Sequence, residues 1–226
     1  MHYEETIIPI SGGIPMTPKQ LAFQTAAQTT IQNLKKRNME GYFFEDSASC
    51  VKAITDLIPD GSIISWGGSE TIKECGLMDA LQKGNYTLID RLNAKTPEEG
   101  RQLYAKAVLS DYYCMSTNAI TFDGELINID GNGNRVACLI HGPKNIIMVV
   151  GMNKLVADVE TGCLRVQNTA SPANAKRLNR NTPCFHTGRC GDCLSDDCMC
   201  NHIVITRRSG IPGRIKIFFI AEDLGY

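Results

Sequence analysis

The chain has 226 residues, enough for one large domain or two small ones, and its 43% hydrophobic and 21% charged residues suit a globular protein with a full core. Its 23 basic and 24 acidic residues leave a formal charge of −1, which excludes the electrostatic footprint of a nucleic-acid binder or of a surface drawn to anionic membranes. No apolar run approaches the ~18 residues of a membrane span. The opening MHYEETIIPISGGIP has no basic segment ahead of an apolar stretch, so no secretory signal is expected and a reducing, cytoplasmic compartment is.

Helical and strand patterns alternate along the chain. TPKQ at Thr17 predicts a helix start, with threonine as cap, proline in the first turn and glutamine placed to close a capping box. Phe23, Ala27, Ile31 and Leu34 share one helical face, so residues 1–45 are expected as an N-terminal helical arm. A second helix is expected after Ser47, with Val51, Ile54 and Ile58 on one side and PDG ending it. SIISW (62–66) reads as a short strand, and Gly67 and Gly68 lead into a helix over SETIKECGLMDAL. YTLID is the next strand, and Thr96 caps a helix that runs through Leu109.

YYCMS and ELINI read as strands, RVACLI as a short helix, and NIIMVVG as a strand buried on both faces. A helix around LVADVETGCLRVQ is followed by another over SPANAKRL, with Ser171 as cap and Pro172 in the first helical position. HIVIT and RIKIFFIAEDL close the chain as strands. This alternation predicts an α/β fold, a mostly parallel sheet with helices on both faces. With no internal repeat or low-complexity linker, residues 1–226 are expected as one α/β domain carrying a cysteine-rich loop over 182–201.

That loop, TPCFHTGRCGDCLSDDCMCN, holds five of the ten cysteines, spaced C-x5-C-x2-C-x4-C-x-C. CGDC brings two sulfurs onto one tight turn, and glycine frees the backbone to fold both inward. Four thiolates make a soft tetrahedral site, which suits either zinc or an iron–sulfur cluster. The pattern is neither a pair of separated C-x2-C knuckles nor a ferredoxin run, so the spacing leaves the metal open. His186 is a further candidate ligand, while Asp192, Asp196 and Asp197 are expected to face solvent. Cys50, Cys75, Cys114, Cys138 and Cys163 stand singly among apolar residues and read as small buried hydrophobes.

Two further segments carry candidate binding chemistry. SWGGSET joins a strand to a helix, where unpaired N–H groups and the Ser69 and Thr71 hydroxyls suit an anion; a tight turn that needs glycine only for its geometry fits equally. In NAITFDGELINIDGNGNRVA, Asn118, Thr121, Asp123, Asn128, Asp130, Asn132 and Asn134 crowd around three glycines. A hairpin turning at Asp123 and Gly124, or a polar cluster at the mouth of the sheet, explains them. His141 is expected at a helix end, Lys144 on a solvated flank, Trp66 in the core, and Arg177 and Arg180 on the surface beside the cysteine loop.

NAITFDGELINIDGNGNRVACLIHGPKNIIMVVG, then SPANAKRLNRNTPCFHTGRCGDC and the closing EDLGY, resemble the bacterial lactate-utilisation (LUD-domain) proteins, specifically a stand-alone subgroup with a cysteine motif. The likeness runs from Thr17 nearly to the end. It implies a fold related to ribose-phosphate isomerases, CoA-transferase-type proteins and methenyltetrahydrofolate synthetases. In that group the glycine-rich turn handles anions, which implies substrate-binding roles for Gly67, Gly68, Ser69, Glu70 and Thr71, joined by Asn118, Asp123, Asn128 and Asp130. The subgroup's cysteines fall on Cys184, Cys190, Cys193 and Cys200, with Cys198 as a possible substitute, and the resemblance implies a [4Fe–4S]-type cluster, zinc being the alternative. It further implies a role in lactate metabolism beside iron–sulfur oxidoreductase subunits, a small anionic metabolite as ligand, and a possible homo-oligomer.

One departure bears on the chemistry. In similar sugar-phosphate isomerases a proton-shuttling aspartate falls where this chain has Asn118, and an amide takes up no proton at neutral pH. Three functions follow: a redox-associated LUD-type protein acting on a hydroxy- or keto-acid, a non-redox isomerase or transferase with a structural zinc, or a metabolite or redox sensor. The first is the leading expectation. No catalytic residue is assigned from the sequence.

Overall fold

The computed structural model describes residues 16–226, so the opening stretch expected to lack a secretory signal, residues 1–15, lies outside the described residues. Thr17 caps α1 (Pro18–Lys36), its hydroxyl accepting from the Gln20 N–H while the Gln20 side chain accepts from the Thr17 N–H. Instead of continuing as a helical arm to residue 45, the chain turns at Arg37 and enters a strand, β1 (Glu40–Phe44). Gly41 lets the helix lie close on this strand, since a Cβ there would meet Ile31 Cγ1 at 2.7 Å. Asp46 caps α2 (Ser47–Leu57), which begins at Ser47 itself, and β2 (Ile63–Trp66) follows.

The helix expected over residues 69–81 is two short ones, α3 (Glu70–Glu74) and α4 (Leu77–Lys83). Gly76, at φ +80°, breaks it with a left-handed residue. Next come β3 (Thr87–Ile89), α5 (Pro97–Val108) capped by Thr96, β4 (Tyr112–Met115), β5 (Ala119–Thr121) and β6 (Leu126–Asp130). β5 and β6 form the expected hairpin, turning through Gly124 at φ +89°.

After α6 (Asn134–Ile140), β7 (Asn145–Gly151) and β8 (Leu155–Val156), the chain enters α7 (Val159–Arg165). A π-helical turn, Val166–Ala170, joins this directly to α8 (Ser171–Leu178). Ser171 is therefore not a cap, because its backbone is helical and the residue is buried. The wider π turn absorbs the N–H that Pro172 lacks, so the helix continues through a proline that would otherwise break it. α9 (Pro183–Thr187), β9 (His202–Thr206) and β10 (Ile215–Ile220) complete the order.

The fold is α/β. Six parallel strands form the main sheet in the order β1-β10-β7-β4-β2-β3, flanked by helices. A second sheet runs β8-β5-β6-β9, with β6 antiparallel to both neighbours. The buried strand β7 shows how the main sheet is covered. Ile146, Met148 and Val150 face a core shared with α1 residues Ala27 and Leu34, while Ile147 and Val149 face one shared with Ile54, Ile72 and Leu81. Cys50, Cys75, Cys114 and Cys138 are buried as expected, and burial pushes the Cys75 thiol up to about 11 and the Cys114 thiol up to about 12. Among the described residues, no helix is long and apolar enough to cross a membrane.

Arg214, immediately before β10, ties that strand to the end of α6. It is 8% exposed and donates to the carbonyl oxygens of Cys138 (2.8 Å), Leu139 (2.6 Å) and Pro143 (2.9 Å), capping the last turn of α6. Arg214→Met leaves these buried acceptors without their donor. Its urea midpoint is expected to fall by the equivalent of about 2–4 kcal/mol, and an unchanged midpoint would count against this capping role.

Candidate functional site

β2, β4 and β7 are parallel, so their carboxyl ends open on the same side of the sheet. There the chain leaves the ladder for loops, which is where ligands of open α/β sheets collect. β2 runs into Gly67 and Gly68, β4 into Ser116, Thr117 and Asn118, and the segment after β7 delivers Lys154. A cavity of about 450 Å³ lies at these ends. Its far wall is built by Val166, Ala170 and Asn174 from the α7–α8 helix and by residues 196–199 of the cysteine loop. Val166 and Ala170 are the two ends of the π turn, so the helical irregularity faces the cavity.

Two basic side chains form the deep part of the site. Lys154 is 4% exposed, and its Nζ donates to Thr71 Oγ1 at 2.6 Å and Ser116 Oγ at 3.0 Å. Burial, first, and then the nearby Arg165 and Arg135 guanidinium groups pull its ammonium down from 10.5 to about 7. The Arg135 side chain is 13% exposed and pairs with Asp130 at 3.2 Å. It also donates to the Asn128 and Asn118 side-chain oxygens and to the Ile129 carbonyl. Arg165 holds the rear wall by donating to the main-chain oxygens of Asn153, Asn118 and Tyr226.

Of the residues expected to bind substrate, Gly68, Ser69, Glu70, Thr71, Asn118 and Asp130 line the cavity. Gly67 lies just behind it, where a Cβ would meet Arg135 Cδ at 3.0 Å and the Tyr113 hydroxyl at 3.3 Å. Asn128 is buried behind Arg135 and orients it. Asp123 does not belong to the site. It is exposed in the β5–β6 turn, at the other end of the hairpin from Asp130, and its carbonyl accepts from Arg37. Of the other polar candidates in that segment, Asn132 and Asn134 line the cavity, whereas Thr121 is buried against Glu125.

Of the two hydroxyls expected to serve an anion over residues 67–71, Thr71 is committed, donating to the Leu224 carbonyl, whereas Ser69 Oγ accepts from the Ile72 N–H and keeps its own hydrogen. The Glu70 carboxylate beside them is paired with Lys73 and Arg177. Arg177 and Arg180, expected on the surface, line the cavity and are paired with Glu70 and Asp197, both at 3.4 Å. Among the described residues, the lining cations with no carboxylate partner are Arg91 and Lys154. Arg91 donates one N–H to the Trp66 carbonyl at 3.3 Å, and its buried Nε has no partner.

Sequence reasoning passed over Lys154, Arg135 and Arg91. Lys154 did leave a signal, a lysine three residues beyond the apolar strand NIIMVVG, at the end of the sheet where ligands collect. Arg135 and Arg91 left none, since an arginine after a turn is ordinarily solvated.

The five clustered thiols are half-buried and free of disulfides. The Asp192 N–H donates to Cys190 Sγ at 3.3 Å and the Cys200 N–H to Cys198 Sγ at 3.4 Å. Hydroxyls of Thr182, Ser195 and Ser171 lie 3.2, 3.5 and 3.4 Å from the sulfurs of Cys184, Cys193 and Cys200. The Cys200 thiol is pushed up mainly by burial, and the nearby sulfurs of Cys198, Cys190 and Cys184 add to this. Among the described residues, no three His, Cys, Asp or Glu side chains stand close enough together to hold one metal ion. As a donor set, five neighbouring soft sulfurs with N–H and O–H partners fit a thiolate-bound cluster. His186 points elsewhere, its Nε2 lying 2.9 Å from Asn181 Oδ1. Cys198, the spare cysteine of the motif, lines the cavity.

A family model described as LUD domain matches residues 27–220. No curated protein matches the chain. Among solved structures, the chain is similar to a DUF162 family protein from Deinococcus radiodurans, at 13% identity and a TM-score of 0.50, over 92% of this chain and all of that one. It is also similar to eIF2B delta from Chaetomium thermophilum, at 14% identity and a TM-score of 0.34, over 53% of this chain and 51% of that one. At its identity, the first of these likenesses speaks to fold alone.

Proposed function

Since the chain belongs to the LUD-domain family, we propose that it is a redox-associated protein of lactate or related hydroxy- and keto-acid metabolism, with a four-thiolate iron–sulfur site at Cys184, Cys190, Cys193 and Cys200. The observation that carries this reading is a shared wall: the loop that bears the thiols also closes the cavity holding Arg91 and Lys154. A small carboxylate in that cavity meets an unpaired guanidinium and lies against the cysteine loop. When bound, such a cluster supplies one-electron exchange. Iron–sulfur oxidoreductase subunits are the electron partners this reading calls for.

Protein purified without oxygen is expected to absorb broadly near ~400 nm and to contain about four irons and four sulfides per chain. Cys193→Ala is expected to lose this colour while keeping its far-ultraviolet circular dichroism, because Cys193 packs against none of the hydrophobic cores. Colour retained in the variant would sink the ligand assignment. Colourless protein with about one zinc per chain would make the loop structural and replace the redox reading with a non-redox one.

A further inference from the structure

We propose that Lys154 is a catalytic amine, which condenses through Nζ with the carbonyl group of a 2-oxo acid bound in the cavity. The proposal rests on the hydroxy- and keto-acid reading above and names the residue that engages the substrate. Its basis is a count of hydrogens around Nζ. Two acceptors face the amine, Thr71 Oγ1 and Ser116 Oγ, and among the described residues there is no third. Each hydroxyl has already committed its own hydrogen, Thr71 to the Leu224 carbonyl at 3.3 Å and Ser116 to the Thr117 carbonyl at 3.2 Å. Both therefore act as acceptors toward Nζ.

A neutral amine has two N–H bonds and one lone pair. The two hydroxyls satisfy both N–H bonds, which leaves the lone pair as the third direction, on a side chain that lines the cavity. An ammonium would instead turn a third N–H toward the cavity, where among the described residues it has no protein acceptor and no carboxylate partner, in a position 4% exposed. The arrangement thus suits the nucleophilic form. Desolvation and neighbouring cations are the two established ways of making a lysine nucleophilic, and both act here, since the side chain is buried and Arg135 and Arg165 stand near. Arg91, which lacks a carboxylate partner, is the cation available to the acid's carboxylate.

The step balances without an added oxidant or reductant. The Nζ lone pair adds to the carbonyl carbon, and the oxygen takes a proton to give a carbinolamine. That hydroxyl then leaves as water with a second proton, and a C=N bond replaces C=O. The first proton comes from the amine and the second from water, so the nitrogen keeps one hydrogen. This protonated imine draws electron density from the adjacent carbon more strongly than the ketone does, which favours proton, carboxylate or electron transfer at that centre.

The test is reductive trapping. The full chain is incubated with pyruvate and cyanoborohydride near pH 7.5, and adducts are located by peptide mass spectrometry. An amine titrating near 7 is mostly neutral there, whereas an exposed lysine is neutral to about one part in a thousand. The expected result is one reduced adduct on Lys154, formed at least about tenfold faster than on any other lysine, and absent in Lys154→Arg. Calorimetric titration with pyruvate and lactate runs in parallel on unmodified protein, so the outcome does not depend on a variant folding. Pyruvate that binds without favouring Lys154 overturns the imine and leaves the proposed function standing. If neither acid binds, the proposed function falls and this inference falls with it.

Discussion

Lys154→Met is expected to stabilise the protein at neutral and acid pH, although it removes the side chain with the strongest claim to chemistry. The Lys154 amine titrates near 7 in the fold, against 10.5 for an ordinary lysine. Between those values the unfolded chain binds more protons than the folded one, so stability rises with pH across that window. Below about pH 7 both states are protonated, and the folded state bears the whole burden of a buried charge. The displacement corresponds to ~5 kcal/mol, and structural relaxation reduces what is observed to about 2–5 kcal/mol. Methionine fills much the same volume without a charge, and Thr71 and Ser116 keep the carbonyls to which they donate.

The advantage of the variant over the parent should therefore be largest below pH 7 and shrink toward pH 10.5. The charged groups facing Lys154 are Arg165 from α7, Arg135 from α6 and Glu74 from α3, with Arg91, Glu70 and Asp130 on the same cavity. All are common to both proteins, so their own titrations largely cancel in the difference. Paired chemical melts at pH 6, 8 and 10 check this. A difference that stays constant with pH would mean that the charge on Lys154 is not linked to folding.

Arg135→Met is expected to do the opposite, lowering stability by about 3–5 kcal/mol. Arg135 is the hub on which the β6 end of the site is built. Without it, the Asp130 carboxylate, 8% exposed, keeps the Gly133 N–H but loses its cation. Asn128 suffers as well. Its Nδ2 already has no partner, so losing the Arg135 bond to Oδ1 leaves the whole buried amide unsatisfied. Urea unfolding measures the loss. The double variant Arg135→Met, Asp130→Asn should recover part of it by removing the stranded charge, and no recovery would show that the pair itself was not the source. Arg135 also helps to hold the Lys154 amine neutral, so trapping at Lys154 should weaken in any Arg135 variant that folds.

Local chemistry made much of the fold readable in advance. The capping box at Thr17, the Thr96 cap of α5, the Gly124 hairpin and the doubly buried β7 each follow from a few adjacent residues. Such signals fail where a distant partner decides. The aromatic residues of EGYFF favour a strand, but its pairing is set by β10, some 175 residues later, which offers its edge in register from Glu40 opposite Lys216 to Phe44 opposite Ile220. The Ser171 and Pro172 pair is a sound helix start by its own chemistry. It is overridden because the preceding π turn lets the helix pass, with Ser171 turned toward Cys200.

The site divides along the same line. The cysteine spacing, the glycines at the end of β2 and the polar residues from Asn118 to Asn134 could be picked out because unusual composition is visible in one dimension. What they do together could not. Asp123 and Asp130 look alike in the sequence, yet the hairpin carries them to opposite ends, and of the two only the Asp130 carboxylate pairs with a guanidinium. Periodicity and short-range bonding were enough to read most of the elements, the alternating α/β order and the thiol-rich loop from the amino-acid sequence. Only the tertiary structure decided that Lys154, Arg135, Arg91 and the cysteine loop share one cavity. Burial and electrostatics depend on distance in space, and the residues that make Lys154 unusual lie at positions 71, 116, 135 and 165 of the chain.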